Sequence, residues 1–546
     1  MTGAESLAAT LRENGVTLVF GLPGEENLDM VAAFNDADIE IIVTRHEQHA
    51  AFMAATYGRL TGRPGVCMAT LGPGATNLLT GLAHAQLGGW PVLAITGQKP
   101  LRDNDEGSFQ VIDVVAMAKP VTKSAVQVTD ASGVATAVNT ALISAMAPRA
   151  GATLVELPED VMSGHVDTGP ASVPYVHARP ASTALLDEAA AVIGSADRPI
   201  LVVSWGAQHH SAALTAFAEH TGIGVVPLQL GKGAIAADHP LAMQPLGIHR
   251  LDYAHLPVLD ADLVVVVGYD PAEHPPLAWN PHDRTSLVHV AAHPPSPEPG
   301  YRPATVVVGD VSHSLEQIAT RLDTRSMPRQ ARMRDVAADL LASEHDVAHE
   351  GISPLEVVSA VRDSVDRAGV VALDNGAYKI WFARHYPTYQ PNTLLLDNAL
   401  ATMGAGLATG MTAALLDKDR TALVVTGDGG FMMNLQDLET AIRLRLDMTV
   451  LVVRDDAYGF IAWHQKEQGL EREDVDVTNP DIVALAQAFG AGAMRIESLD
   501  QLGPTLERAI ATPGVTVVDC AINYSINDIL ETDLYQRAID KVQEGP

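Results

Sequence analysis

Residues 424–460 read VVTGDGGFMMNLQDLETAIRLRLDMTVLVVRDDAYGF. An apolar, β-branched run stops at Gly427-Asp428-Gly429-Gly430, a helical pattern follows, and a second apolar run stops at Arg454-Asp455-Asp456. Two strands joined by a helix are expected to lie parallel with a right-handed crossover, and a parallel sheet needs helices on both faces. That unit predicts an α/β fold, and the rest of the chain repeats its pattern.

In residues 1–168, runs at 17–20, 39–43, 65–69 and 91–96 are predicted strands, and 4–14, 46–60 and 75–86 predicted helices. The Pro-rich stretch 169–182 reads as a linker. A middle unit, 183–325, has strands expected at 200–203, 224–226, 263–267 and 305–308. The charged segment 324–351 leads to a third unit, 353–535, with strands expected at 370–373, 421–426, 448–453 and 516–519. The prediction is three doubly wound parallel-sheet α/β domains.

Composition narrows the functions. The 546 residues are 47% hydrophobic and 18% charged, too apolar for a disordered or coiled-coil protein. With 35 Lys+Arg against 66 Asp+Glu, the net charge of −31 argues against nucleic acid or an anionic membrane surface as partner. Small molecules and copies of the same chain are the expected partners. Cys67 and Cys520 are the only cysteines, so no disulfide framework is expected. The start, MTGAESLAATLRENG, lacks a basic and an apolar signal region, and the longest apolar runs are strand-length. A cytoplasmic protein without a membrane span is the expectation.

In an open parallel sheet, ligands bind beyond the C-terminal ends of the strands. Asp428 and Asp455 fall there, on strands expected to be neighbours. The glycines let backbone approach a diphosphate, and two carboxylate oxygens would hold a bridging Mg²⁺. The plainer alternative is a strand-end turn with two solvated carboxylates. A second cluster is Arg45-His46-Glu47-Gln48-His49, where Glu47 joins a strand to an Ala-rich helix and needs a partner or a helix N-terminus. A third is Thr70-Leu71-Gly72-Pro73-Gly74-Ala75-Thr76-Asn77, a glycine turn between strand and helix.

Taken together these segments resemble the thiamine-diphosphate (ThDP) enzymes, specifically the acetolactate synthase family and its catabolic, FAD-independent branch. The GDG segment ending in Asp455 resembles that family's metal and diphosphate signature. RHEQHAAFMA, the TLGPGATN loop and Phe20-Gly21-Leu22-Pro23-Gly24 resemble its pyrimidine-side segments. Gly268-Tyr269-Asp270-Pro271-Ala272-Glu273, Trp279-Asn280 and Asn523-Tyr524-Ser525 are similar to the catabolic branch. The resemblance implies pyrimidine-binding, central and diphosphate-binding domains, with ThDP and Mg²⁺ as cofactors. No flavin is expected.

The same resemblance assigns roles. Glu47 would hydrogen-bond the aminopyrimidine and support proton shuttling. Pro23, Thr70, Gly74 and Asn77 would line its side of the cofactor. Gly376 would offer its carbonyl to the aminopyrimidine amine, and Met403 would hold the two rings in a V. Ala377, Tyr378, Gly427, Gly429, Gly430, Tyr458, Gly459 and Phe460 fall in cofactor-binding stretches. Asp428, Asp455 and the Ala457 carbonyl would bind the metal. Phe109, Gln110 and Lys123 resemble a substrate-facing strip contributed across a dimer interface, and Gln465 a glutamine near the acceptor substrate.

Three departures bear on the substrate. Ala377-Tyr378 replaces a Ser-His or Gln-His pair, His464 stands where the biosynthetic enzymes have a selecting Trp, and Phe109 stands where catabolic relatives have His. Leu71 replaces the usual Ser, and Arg454 adds a charge where the family has none.

The implied reaction condenses two 2-oxo acids, pyruvate first, with loss of CO₂, in a homodimer or homotetramer. The alternative is a ThDP-dependent decarboxylase, or an aldehyde lyase/carboligase on a larger substrate. A nicotinamide or flavin oxidoreductase is disfavoured, because loops 72–77 and 404–410 lack the full fingerprint. A non-catalytic ThDP-binding module would have no use for Glu47.

Overall fold

Continuous apolar runs form strands when both faces are covered, and three parallel sheets result in the computed structural model. It describes residues 1–543 other than 106, 168, 173–177, 249, 282 and 284. Part of the expected linker 169–182 therefore lies outside the described residues.

The first sheet contains β1 (Leu18–Gly21), β2 (Glu40–Val43), β3 (Gly65–Ala69), β4 (Val92–Gln98), β5 (Ser124–Gln127) and β6 (Ala152–Pro158), in the order β2-β1-β3-β4-β6-β5. The second contains β7 (Pro199–Val203), β8 (Val225–Pro227), β9 (Leu263–Val267), β10 (Ser286–Ala291) and β11 (Thr305–Val308), in the order β11-β10-β9-β7-β8. The third contains β12 (Val370–Leu373), β13 (Leu394–Leu395), β14 (Ala422–Gly427), β15 (Met448–Arg454), β16 (Gly492–Ile496) and β17 (Val515–Ala521), in the order β13-β12-β14-β15-β17-β16. Every pairing within these sheets is parallel.

The middle sheet shows why its strands are apolar throughout. Leu201, Val203, Val265 and Val267 enter one core with Leu214, Phe217 and Leu315. The alternate residues Ile200, Val202, Val264 and Val266 enter the opposite core with Tyr269, Trp279 and Tyr301. Side chains alternate across a strand, so two covered faces demand an unbroken hydrophobic run.

The chain gathers into two compact units. One holds residues 1–176, 399–418 and 433–446, and the other holds 177–398, 419–432 and 447–546. Within the first, the helix Ala405–Leu416 packs on Glu47–Thr61. His49 is buried in that contact, its Nε2 3.2 Å from Met411 Sδ and its Nδ1 3.7 Å from Asp437 Oδ2. Burial holds its pKa below the usual imidazole value. His46 is the N-cap of Glu47–Thr61, its Nδ1 accepting from the Gln48 N–H at 3.1 Å. Both histidines are thus structural.

Candidate active site

Glu47 is the first residue of its helix, directly beyond β2, where the macrodipole favours a carboxylate. Its Oε2 accepts from Asn77 Nδ2 at 3.0 Å. A Cβ on Gly74 would lie 3.3 Å from Glu47 Oε1 and 2.9 Å from Thr70 Cγ2, so only glycine lets that turn approach freely. Glu47, Thr70, Gly74 and Asn77 therefore come together. Thr70 in turn donates to Glu26 Oε2 at 2.6 Å, and Glu26 Oε1 pairs with Lys99 Nζ at 2.6 Å. Burial alone would raise the Glu26 pKa, but the bonds from Lys99 and Thr70 outweigh it and the carboxylate sits below its usual value. Sequence reading passed over Glu26 and Lys99; charged residues at strand-end turns were their one signal.

Other expected residues of this unit lie as follows. Pro23 is exposed in the turn after β1. Gln110 takes a left-handed φ of 61°, and its carbonyl oxygen would be 2.7 Å from a Cβ on Gly72. The neighbouring Phe109 is 78% exposed. Lys123 donates to the carbonyls of Ala147 (2.6 Å) and Arg149 (2.7 Å), so its ammonium closes a helix C-terminus. Burial, then the charge of Arg149, lowers its pKa to about 8. Met403 precedes Gly404, whose φ of 86° and whose bond from Asn434 Nδ2 (3.0 Å) shape the entry to Ala405–Leu416.

In the other unit, register pairs Gly427 of β14 with Val453 of β15, so Asp428 and Asp455 follow neighbouring strand ends. Asp428 is buried. Burial and then the charge of Asp428 push the Asp455 carboxyl up to about 7, and burial raises Asp428 as well. The neighbouring charge of Asp456 adds to the rise at Asp428, and Arg472 offsets only part of the rise at Asp455, so negative charge gathers at these strand ends. Paired oxygen donors of this kind suit a hard divalent cation. Among the described residues no group of three His, Cys, Asp or Glu is gathered for a metal, so further donors here would be other oxygens, for which the backbone of buried Ala457 is one candidate. A Cβ on Gly459 would overlap Asp455 Oδ2, and one on Gly430 would overlap Asp374 Oδ2. Both glycines make room for carboxylates.

Tyr378 and Ala377 are buried after β12. Tyr378 Oη accepts from the Gly427 N–H at 3.1 Å, and burial raises its pKa well above the usual value. A Cβ on Gly376 would sit 2.5 Å from the Tyr378 ring. Tyr458 and Phe460 are partly exposed. Gln465 donates to the Glu473 carbonyl at 3.0 Å, while its Oε1 is buried without a hydrogen-bond partner. His464 is held by Glu467 at 2.8 Å and stacks on Trp463.

In the middle sheet the strand order reverses between β7 and β9, where such folds bind nucleotides. Here the Gly206 N–H donates to the Gly268 carbonyl at 3.1 Å across that point. The buried Glu273 carboxylate takes the Leu230 N–H at 2.7 Å and the Ser204 hydroxyl. Backbone from both strand ends and a buried carboxylate therefore meet near this point.

Comparison with known proteins accords with this geometry. The family model described as thiamine pyrophosphate enzyme, N-terminal TPP binding domain, matches residues 1–117. The corresponding central domain matches 186–318 and the C-terminal TPP binding domain 374–520. The fold and these matches define a thiamine-pyrophosphate-dependent enzyme. An acetolactate synthase of Bacillus subtilis is 33% identical over 97% of this chain and 95% of its own length. The catabolic acetolactate synthase of Raoultella terrigena is 32% identical over 98% and 97%. The acetolactate synthase isozyme 1 large subunit of Escherichia coli is 29% identical over 96% and 94%. The chain belongs to the acetolactate synthase family.

Proposed function

We propose that this acetolactate synthase-like carboligase condenses two 2-oxo acids, pyruvate foremost, into a 2-hydroxy-3-oxo acid with release of CO₂. The observation that carries the reading is Glu47, with one oxygen fixed by Asn77 and the other beside Gly74. Bound ThDP supplies the electron sink that lets a 2-oxo acid lose its carboxylate. Glu47 takes and returns a proton at Oε1 while Asn77 holds Oε2. Asp428, Asp455 and the Ala457 carbonyl would hold Mg²⁺, and Gly427–Gly430 with Tyr378 would form the wall for the diphosphate. A mostly apolar pocket around the reacting centre would exclude water and so favour carbon–carbon bond formation over protonation.

The hydrogen bonds that Glu273 takes from Leu230 and Ser204 near the switch point of the middle sheet support a middle domain without flavin. Exposed Phe109 and Ile461 support burial in a homodimer or homotetramer, to be checked by light scattering. No helix among the described residues is long and apolar enough to cross a membrane, and both cysteines are free and buried, which supports a cytoplasmic site of action.

The test is product analysis with pyruvate, ThDP and Mg²⁺. Acetoin after acid treatment upholds the synthase; acetaldehyde alone makes the protein a decarboxylase in which water reaches the site. A Glu47→Gln variant should still bind ThDP but lose about 10²–10⁴-fold in turnover. Full turnover by that variant would remove Glu47 from the mechanism.

A further inference from the structure

Arg454, the charge that the family pattern does not contain, is held at two points. Its Nη1 donates to Asp456 Oδ2 at 2.6 Å and its Nε to Asp519 Oδ1 at 3.0 Å. Asp519 is buried on the adjacent strand β17, and its other oxygen accepts from Arg495 Nε at 2.9 Å. Beyond Asp456 lies Asn479. Its side-chain nitrogen donates to Asp456 Oδ1 at 2.9 Å and to Asp428 Oδ2 at 2.6 Å. An amide nitrogen has two protons, and both are spent here.

We propose that Arg454, Asp456 and Asn479 form a positioning arm that fixes the Asp428 carboxylate for binding a divalent cation. The inference rests on the reading of Asp428 and Asp455 as metal ligands. Three observations carry it.

The arm has a firm base. The Val477 N–H donates to the Asp456 carbonyl at 2.9 Å and the Tyr458 N–H to the Val475 carbonyl at 2.8 Å, so the segment leading to Asn479 is bound to 456–458. Asp456 itself takes a φ of 53°, a left-handed conformation that Asp tolerates better than most residues.

The charges are also distributed in a particular way. Asp456 would add a third negative charge beside Asp428 and Asp455, and Arg454 neutralises it. Arg454 stops short of Asp428, and what reaches Asp428 is a neutral amide. A guanidinium in that place would compete with the cation for the carboxylate, whereas an amide orients it and leaves its charge for the metal. Finally, Arg454 is not needed to tie β15 to β17, because the ladder already pairs Arg454 with Ala521.

The experiment uses the full-length protein stripped with EDTA and saturated with ThDP, titrated with MgCl₂ by calorimetry. Asn479→Ala should weaken Mg²⁺ binding about tenfold or more, with little change in thermal midpoint measured without Mg²⁺. Arg454→Gln should weaken it in the same direction. The double variant should be no weaker than Asn479→Ala, since both act through one arm. Should Asn479→Ala fail to fold, Arg454→Gln decides alone. Unchanged Mg²⁺ affinity in these variants, with affinity lost in Asp428→Ala, overturns the arm and leaves the metal site standing. Unchanged affinity in Asp428→Ala as well overturns both.

Discussion

Gly459 shows how a single hydrogen atom can matter at this site. It opens the helix Gly459–Glu467, where alanine would stabilise an ordinary helix by up to about 1 kcal/mol. Yet a Cβ there would overlap the Asp455 carboxylate, which must then shift from its place. Gly459→Ala should therefore leave the metal-free protein as stable as the parent, or more so, while Mg²⁺ binding and turnover fall together. Calorimetry on the stripped and Mg²⁺-titrated protein separates the two effects; retained Mg²⁺ affinity would show that Asp455 has room to move. Asp428, Asp455 and Glu47 were legible in the sequence because each follows a predicted strand at a turn. Asn479 was not, since it meets Asp428 from 51 residues away through a loop with no pattern of its own. Lys123 illustrates the converse: its segment matched a family strip, but the direction of its side chain depends on where the Ala147 and Arg149 carbonyls lie.

At the level of elements, the helix Gly72–Gly88 begins without a side-chain cap, because Leu71 stands at the N-cap. Leu71 is fully buried, however. Restoring serine would gain a cap worth about 1 kcal/mol. It would lose buried apolar volume worth roughly 2–5 kcal/mol, judged from large-to-small core substitutions. Burial wins, so Leu71→Ser should lower the urea midpoint of the first unfolding transition; a raised midpoint would mean that capping dominates. The same competition between burial and pattern explains which strands were legible. The run at 263–267 is apolar on both faces and reads as a strand at once. β6 carries Glu156 in a fully buried stretch, tolerated because Gln98 and Gln127 donate to it at 3.0 and 2.6 Å. β10 carries His289, satisfied by Tyr301 at 2.7 Å. A polar residue inside a strand blurs the sequence signal, and only the assembled sheet supplies its partners.

Across the whole molecule, a net charge of −31 resists compaction at neutral pH, yet one buried ion cluster works in the opposite sense. Arg384 donates to both oxygens of Glu344, at 2.7 and 2.8 Å, and His385 Nε2 lies 2.9 Å from the same carboxylate. Asp252, Tyr253, His345 and Arg537 surround the group. Burial alone would raise the Glu344 pKa, but bonds from His385 and Arg384 carry it down to about 2, while burial brings His385 to about 4. Both folded values lie below the unfolded ones of 4.5 and 6.5, so the unfolded chain binds more protons. The stability from Glu344 is complete above pH 4.5 and is lost as pH falls towards about 2. The His385 contribution is lost between 6.5 and about 4. Acid also relieves the excess negative charge, so the two effects oppose each other, and the cluster should dominate because its groups are buried and poorly screened. Denaturant midpoints should thus fall steadily from pH 6.5 downwards, at high salt as at low. In Glu344→Gln the slope below pH 4.5 should flatten, with lower stability at pH 7 because Arg384 loses its buried partner. An unchanged slope in that variant would place the acid sensitivity in the surface charge instead, where added salt would abolish it.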